Sequence, residues 1–244
     1  MEDQPKRSAT HNHTWGVASV EESRWPATVA VVAAVILYLS LPDRFTLAMG
    51  VVLPGSYRIP LNWLLPAFEL ILLVPLSIRA PHRKQDEPPW QRRGAVAIIA
   101  AINVANFYSL FLLVGALISG KGTTQPLTGH LLFLSAMEIW LTNVLVFALW
   151  YWELDRGGPD ERTHMAHRQP DFLFPQMTTP DCTYETWTPR FLDYLYTSFT
   201  NATAFSPTDT LPLTPWAKFL MLIQSLGSLV TVALVAARAV NILT

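Results

Sequence analysis

Unbroken apolar stretches of near-membrane length, separated by short clumps of charge, dominate the chain. The first runs from Trp25 to Leu41 and is closed by Pro42, Asp43 and Arg44. A Trp at one end and charges at the other are the anchors that hold a helix at the two membrane surfaces. The next piece, FTLAMGVVLPG from Phe45 to Gly55, is too short to cross about 30 Å of hydrocarbon and reads as a re-entrant or interfacial piece, with an extra half-helix as one option. Full-length runs follow at Leu61–Ile78, Ala95–Ile118, His130–Trp152 and Trp216–Leu243. Pro66 and Pro75 are tolerated in a membrane helix where neighbours re-satisfy the freed carbonyls. Small residues along AVAIIAAINVA in the third run suit close helix packing. The pattern predicts an all-α integral membrane protein with five transmembrane helices.

One region breaks the rhythm. Glu153 to Pro189 is polar, proline-rich and acidic, and too long for a structureless hairpin loop. From Thr188 to Thr203 the residues Phe191, Leu195, Ser198 and Phe199 recur at helical spacing, in a stretch too short and too polar to span. NATAFSPTDTLPLTPW follows, and its Thr214-Pro215 opens the last helix. Thr is a good N-cap, and Pro fits the first helical position because its missing donor would be unsatisfied there anyway. Short helix, irregular turn, spanning helix is the order of a re-entrant pore-type half-helix. Pro207 and Pro212 shape the turn, with hydroxyls to satisfy its backbone. The chain divides into a polar tail (1–24), a four-helix transmembrane region (25–152), a polar acidic loop (153–187) and a C-terminal module (188–244).

Composition agrees. Apolar residues make up 51% and charged ones only 14%, well under the roughly 25% charged of soluble domains. The lipid bilayer is therefore the first partner, and a multi-pass place in the cell membrane the expected location. A net charge of −1 gives no bulk attraction for nucleic acid. Cys182 is alone, so an internal disulfide is excluded. Residues 1–24 lack the apolar core of a cleavable signal, so the first membrane helix is expected to serve as its own address. The basic cluster Arg79, Arg83, Lys84, Arg92 and Arg93 should face the cytoplasm, which with five spans puts the 153–189 loop inside too. The acidic loop and Arg238 favour the reverse, and the sequence leaves both arrangements open.

The C-terminal quarter, Thr188 to Leu243, resembles the pore-loop module of the potassium-channel superfamily. That pattern is an aromatic pore helix, then T-V-G-Y-G-D, two residues, P-x-T, and an inner helix with a mid-span Gly. Here a pore-helix candidate at 189–203 is followed by Asp209, Pro212 and Thr214 in matching register, with Gly227 near the place of the hinge glycine. The filter positions after Thr203 depart from the pattern: Ala204, Phe205, Ser206, Pro207 and Thr208. A carbonyl ladder needs glycines for alternating backbone, whereas Pro207 fixes φ and removes a donor. A ring of Thr203, Ser206 and Thr208 hydroxyls with the Asp209 carboxylate at the mouth remains, and carboxylate rings attract cations without choosing finely among them. The resemblance implies monovalent cations as the permeant, a homo-tetramer because one loop supplies a quarter of a filter, and a protein that is weakly selective or non-conducting. A non-conducting membrane scaffold or accessory subunit is the competing reading, and an integral membrane enzyme using the 153–189 loop is the third.

Other residues carry less. Glu69 and Glu138 lie within the second and fourth runs, where ionisable groups mark a functional site by default. They could share a proton or cation, or be bonded to Asn103, Asn106 or Asn143 as structural glue. His164 and His167 have an i, i+3 spacing, but no third ligand is fixed by a recognised pattern, so no metal site is assigned. ELDRGGPDER, Glu153 to Arg162, is first of all a helix end and a turn. It supplies neither a nucleophile–base pair nor a metal set, so neither an enzyme nor a cofactor is expected. PDFLFPQM, Pro170 to Met177, is apolar for a loop and reads as lying on the membrane surface or packing over the pore mouth.

Overall fold

The apolar runs at Trp25–Leu41, Ala95–Ile118, His130–Trp152 and Trp216–Leu243 become helices, and the computed structural model describes residues 23, 25–46, 50–52, 58–60, 89–119, 129–159, 161–163, 169–179, 187–203 and 208–243. In chain order the helices are α1 (Trp25–Ser40), α2 (Pro89–Ser119), α3 (Gly129–Leu154), the single turn α4 (Pro175–Thr178), α5 (Phe191–Thr203) and α6 (Pro215–Leu243). Among the described residues, three stretches are long and apolar enough to cross a membrane: Arg92–Ile118, Gly129–Gly157 and Pro215–Ala237. The first apolar run forms a helix of 16 residues. That rises only about 24 Å, short of about 30 Å of hydrocarbon. The run Leu61–Ile78, with Glu69, lies outside the described residues.

The half-helix expected over 45–55 is not formed. Asp43–Phe45 is a 3-10 turn, and β1 (Gly50–Val52) pairs antiparallel with β2 (Arg58–Pro60), Gly50 opposite Pro60 and Val52 opposite Arg58. Paired β-branched valines favour extended backbone, and Pro54-Gly55 between the two strands is a turn dipeptide in sequence.

The helix ends follow from local chemistry. Ser40 turns its hydroxyl onto the Leu37 carbonyl at 2.7 Å, and Pro42 halts α1 two residues later. The α5 N-terminus is closed by the Asp193 carboxylate, which accepts from the Arg190 backbone N–H at 2.7 Å, half of a capping box. Thr214 Oγ1 accepts from the Ala217 N–H at 3.4 Å, with Pro215 first in α6. The C-terminus of α3 tightens into a 3-10 turn where Arg156, Gly157 and Gly158 take φ of 54°, 85° and 104° in succession. A Cβ on Gly158 would lie 2.9 Å from the Glu153 carbonyl oxygen, so no other residue fits there.

Two apolar clusters fix how the helices run. One joins Ala27, Ala30, Val31 and Ala34 of α1 to Ile98 and Ile102 of α2 and to Phe147–Trp152 of α3. The other joins Tyr38, Leu41 and Phe45 to Leu110 and Leu113 of α2, Leu132 and Ala136 of α3, and Leu234 and Val235 of α6. So α1, α2 and α6 descend together from a near end, marked by Trp152 and Asp155, to a far end marked by Leu132, while α3 runs the other way. Arg92, at the start of α2, lies 3.8 Å from Glu153 at the end of α3. The chain leaves α1 at the far end and enters α2 at the near end.

Candidate functional site

Charged and polar side chains are buried in two adjoining places, the near end of α3 and the seam where α3, α5 and α6 meet. At the near end Asp155 is fully buried, and its carboxylate is a hub. It accepts from the Asp171 N–H at 2.9 Å, from the Tyr194 hydroxyl at 2.6 Å and from Arg156 Nε at 3.2 Å, with the Phe172 N–H at 3.4 Å. The Arg156 N–H donates in turn to Asp171 Oδ2 at 2.9 Å. Arg162 closes the end of α3, donating through Nη1 to the carbonyls of Trp152 at 2.7 Å and Asp155 at 3.1 Å. A cation there also meets the negative end of the helix dipole. Its guanidinium lies 5.3 Å from the Tyr194 ring centroid and 6.0 Å from that of Trp152. Burial first, and the Asp155 carboxylate among smaller causes, push the Tyr194 phenol well above its ordinary range, so it stays protonated and donating.

This knot draws the loop onto the bundle. Phe172 and Phe174 are buried, with rings against Tyr151 at 4.9 Å and Tyr194 at 5.3 Å. Phe172 and Phe174 of PDFLFPQM thus pack into the helical core, while Pro175 stays exposed. Its β3 (Phe172–Leu173) pairs antiparallel with β4 (Leu211–Pro212), Phe172 opposite Pro212, and the Leu213 N–H donates to the Asp171 carbonyl at 2.8 Å.

The seam is an amide and hydroxyl network. Gln224 Oε1 accepts from the Tyr151 hydroxyl at 2.5 Å and from Asn201 Nδ2 at 2.8 Å. Its Nε2 donates to the Ser198 carbonyl at 3.0 Å and to Ser198 Oγ at 2.6 Å, and Ser198 Oγ donates to the Val144 carbonyl at 2.7 Å. Asn201 Nδ2 also reaches the Met221 carbonyl at 3.0 Å, while its Oδ1 accepts from Ser225 at 3.1 Å. One turn further along α6, Asn143 Nδ2 donates to Ser228 Oγ at 2.8 Å and to the Gln224 carbonyl at 3.3 Å. In hydrocarbon each of these groups would be costly alone.

These bonds measure how deep α5 goes. Its first residue, Phe191, stacks edge-on against Trp152 at 6.1 Å, and its last turn accepts from Trp140 Nε1 at the Ala202 carbonyl, 3.4 Å. Between Trp152 and Trp140, α3 rises about 18 Å, roughly half of the about 39 Å that its 26 residues cover. The chain then climbs back, because Thr210 Oγ1 lies 3.0 Å from Thr197 Oγ1 and β4 reaches β3 at the near end. α6 starts there and descends past Tyr151 and Asn143. A 13-residue helix goes half-way down the bundle and the chain returns to the end it left.

The candidate residues are distributed accordingly. Thr203 ends α5 with its hydroxyl on the Thr200 carbonyl at 2.8 Å. Thr208 accepts from the Thr210 N–H at 3.2 Å, and Asp209 is exposed. Ala204, Phe205, Ser206 and Pro207 lie outside the described residues, as do His164 and His167. The exit of the turn is held chiefly by backbone pairing with β3. Gly227 lies within a continuous α6, and Phe107 fills the space of its missing side chain: a Cβ would sit 3.1 Å from Phe107 Cε1. Glu138 is half-buried beside the Ser40 hydroxyl, whereas Asn143 is engaged by α6. Among the described residues no three His, Cys, Asp or Glu side chains cluster as a metal site would. Asp155, Tyr194, Tyr151, Asn201 and Gln224 were not singled out by sequence, although Gln224 in FLMLIQSLGSLV, a lone amide in an apolar run, carried the signal.

No protein-family model, no curated protein and no solved structure matches the chain.

Proposed function

We propose that the chain is a multi-pass pore-loop membrane protein related to cation channels, with α5, the turn at 204–210 and α6 as its re-entrant module. One observation carries this: α5 descends half the height of α3 and the chain climbs back to the same end before α6 begins. Irregular backbone at membrane depth is tolerated only where it is buried in protein or lines water, and a return of this kind is how a pore loop meets that condition. The faces of α5 and α6 support the bilayer setting. Thr197, Ser198, Gln224 and Ser228 are fully buried, whereas Leu192, Phe199, Phe219 and Leu226 are exposed. Polar inside and apolar outside is wrong for water and right for lipid.

On this reading copies assemble as a tetramer around the turn. Side-chain oxygens of Thr203, Ser206 and Thr208, with Asp209 at the mouth, admit monovalent cations with weak selectivity. The far-end exit of α1 and near-end entry of α2 support a further crossing between them, as five spans require. The basic cluster includes Arg92, beside Glu153, and the positive-inside rule then favours a cytoplasmic mouth for the turn.

The test is flux. Purified protein in liposomes should pass Na⁺ and K⁺, and Asp209→Asn should lower the rate. A monomer that passes neither ion at any pH or voltage would sink the proposal. A second reading, a non-conducting scaffold or accessory subunit, is favoured by one observation: the amides and inner hydroxyls of α5 and α6 are bonded within their own subunit. A stable co-purifying partner together with absent flux would establish it.

A further inference from the structure

Glu138 stands on α3 where α1 ends, and the pore-loop reading leaves it without a role. α3 rises about 39 Å over its 26 residues, and Glu138 is about 13 Å from its far end. A hydrocarbon core about 30 Å thick leaves only about 5 Å of such a helix outside at each end, so the carboxyl lies at membrane depth. Glu138 is half-buried, and its helix neighbours Leu134, Met137 and Leu141 are exposed. In a bilayer that face meets lipid. The polar groups around it have their protons committed elsewhere. Glu138 lies beside the Ser40 hydroxyl, but Ser40 Oγ donates to the Leu37 carbonyl at 2.7 Å, and a carbonyl only accepts. Thr142, one turn along, gives its proton to the Glu138 carbonyl at 2.8 Å. Ser135, one turn the other way, is fully buried and its Oγ has no partner.

No Lys, Arg or His among the described residues lies within ion-pair distance of Glu138. α1 carries no charged residue, and its one titratable group is Tyr38; Asp43 follows beyond its end. From Gly94 onward α2 has only Tyr108. His130 of α3 and Arg238 of α6 stand toward the far end, and Lys218 of α6 and Asp193, Tyr194 and Tyr196 of α5 toward the near one. An ionised carboxylate in this place has neither a cation to pair with nor a donor to accept from. A proton cures both: the neutral acid costs far less to bury, and its O–H donates to a serine lone pair. A metal ion is served less well, because hard cations take about six or more oxygens and the carboxylate is joined here by two hydroxyls. We propose that Glu138 is a proton-binding site on the lipid-facing seam of α1 and α3. It holds a proton at neutral pH, donates it to a serine hydroxyl and exchanges it with water at the far surface, the nearer of the two. This rests on the chain lying in a bilayer and is independent of whether the turn at 204–210 conducts.

Infrared spectroscopy of the full-length protein in liposomes at neutral pH reads the proton directly. The carbonyl band of a neutral carboxylic acid should be present, should shift in D₂O, and should be lost in Glu138→Gln. Ser40→Lys, at an exposed position, sets a cation beside the carboxyl and should exchange that band for carboxylate absorption with Glu138 still in place. If Glu138→Gln fails to fold, dicyclohexylcarbodiimide on the wild type replaces it. The acid adds across one C=N bond, its oxygen to the central carbon and its proton to nitrogen, and peptide mapping should place the adduct on Glu138. A water-soluble carbodiimide should leave Glu138 unmodified. An acid band that survives Glu138→Gln or Ser40→Lys undiminished, a band indifferent to D₂O, or labelling of Glu138 by the water-soluble reagent alone would overturn the proposal. So would loss of the band when Na⁺ replaces K⁺ at the same pH, because the ligand would then be a metal ion. None of these readouts involves ion flux, so this proposal and the pore-loop proposal fail separately.

Discussion

Replacing Asp155 by Ala removes the acceptor on which the near end of the bundle converges. The Asp171 N–H, the Tyr194 hydroxyl and Arg156 Nε would be left buried, and all three residues lie in different segments. Each unsatisfied buried donor costs about 1–3 kcal/mol, so three cost at least about 3 kcal/mol. Removing one partner of a buried ion pair costs about 3–5 kcal/mol by itself. The two routes overlap near 4 kcal/mol. For a chain of this size each kcal/mol moves the melting temperature by about 2–4 °C, which predicts a fall of about 8–16 °C. Tyr194→Phe removes a single bond to a charged acceptor, worth about 1.5–3 kcal/mol, and should cost about half as much. The double variant should melt above the sum of the two losses, because both delete the same contact. Heating the detergent-solubilised protein and following its monodisperse fraction by size exclusion gives the three values. If Asp155→Ala melts within about 2 °C of wild type, or Tyr194→Phe costs more than Asp155→Ala, the carboxylate is not the hub described.

The seam makes its own forecast: Gln224→Leu deletes four hydrogen bonds at roughly 0.6 kcal/mol each in a membrane interior, and should destabilise by about 2 kcal/mol in the same assay. Gly227→Val pushes into Phe107 and should cost about 1–3 kcal/mol, but much less when added to a Phe107→Ala chain and measured against that chain; an equal cost in both backgrounds would mean that packing on Phe107 is not why a glycine stands there. Alkaline pH should act through Tyr194, whose folded pKa is raised mainly by burial. Its contribution is complete below about pH 10 and is lost above it, because the unfolded phenol gives up a proton that the native one keeps. Melting curves between about pH 9 and 11 should therefore decline less steeply for Tyr194→Phe than for wild type.

Periodicity located most of the helices because apolar length is a local property. The runs Ala95–Ile118, His130–Trp152 and Trp216–Leu243 lie within α2, α3 and α6, and the short candidate at 189–203 became Phe191–Thr203. The region 45–55 was misread because its apolar content was weighed and its Val51-Val52 and Pro54-Gly55 signals were not. The buried knot was hidden for a different reason. Asp155, Arg156 and Arg162 look like ordinary charges at a helix end, and only the backbone of Asp171 and the side chain of Tyr194 make them interior. That pairing spans 39 positions between Asp155 and Tyr194 and leaves no trace in any local window. The same holds for Gln224, whose partners Tyr151 and Ser198 are 73 and 26 positions away.

The inverted faces of α5 and α6 have a consequence for how the protein is made. Until Gln224 and Ser228 have left the ribosome, Tyr151 and Asn143 on α3 lack their α6 partners, and α5 has an incomplete home for Ser198 and Asn201. The first part of the chain must therefore wait with hydrogen-bonding groups open. Assembly is completed from the C-terminal end, and a chain cut before Pro215 would present a surface that quality-control proteases are built to recognise.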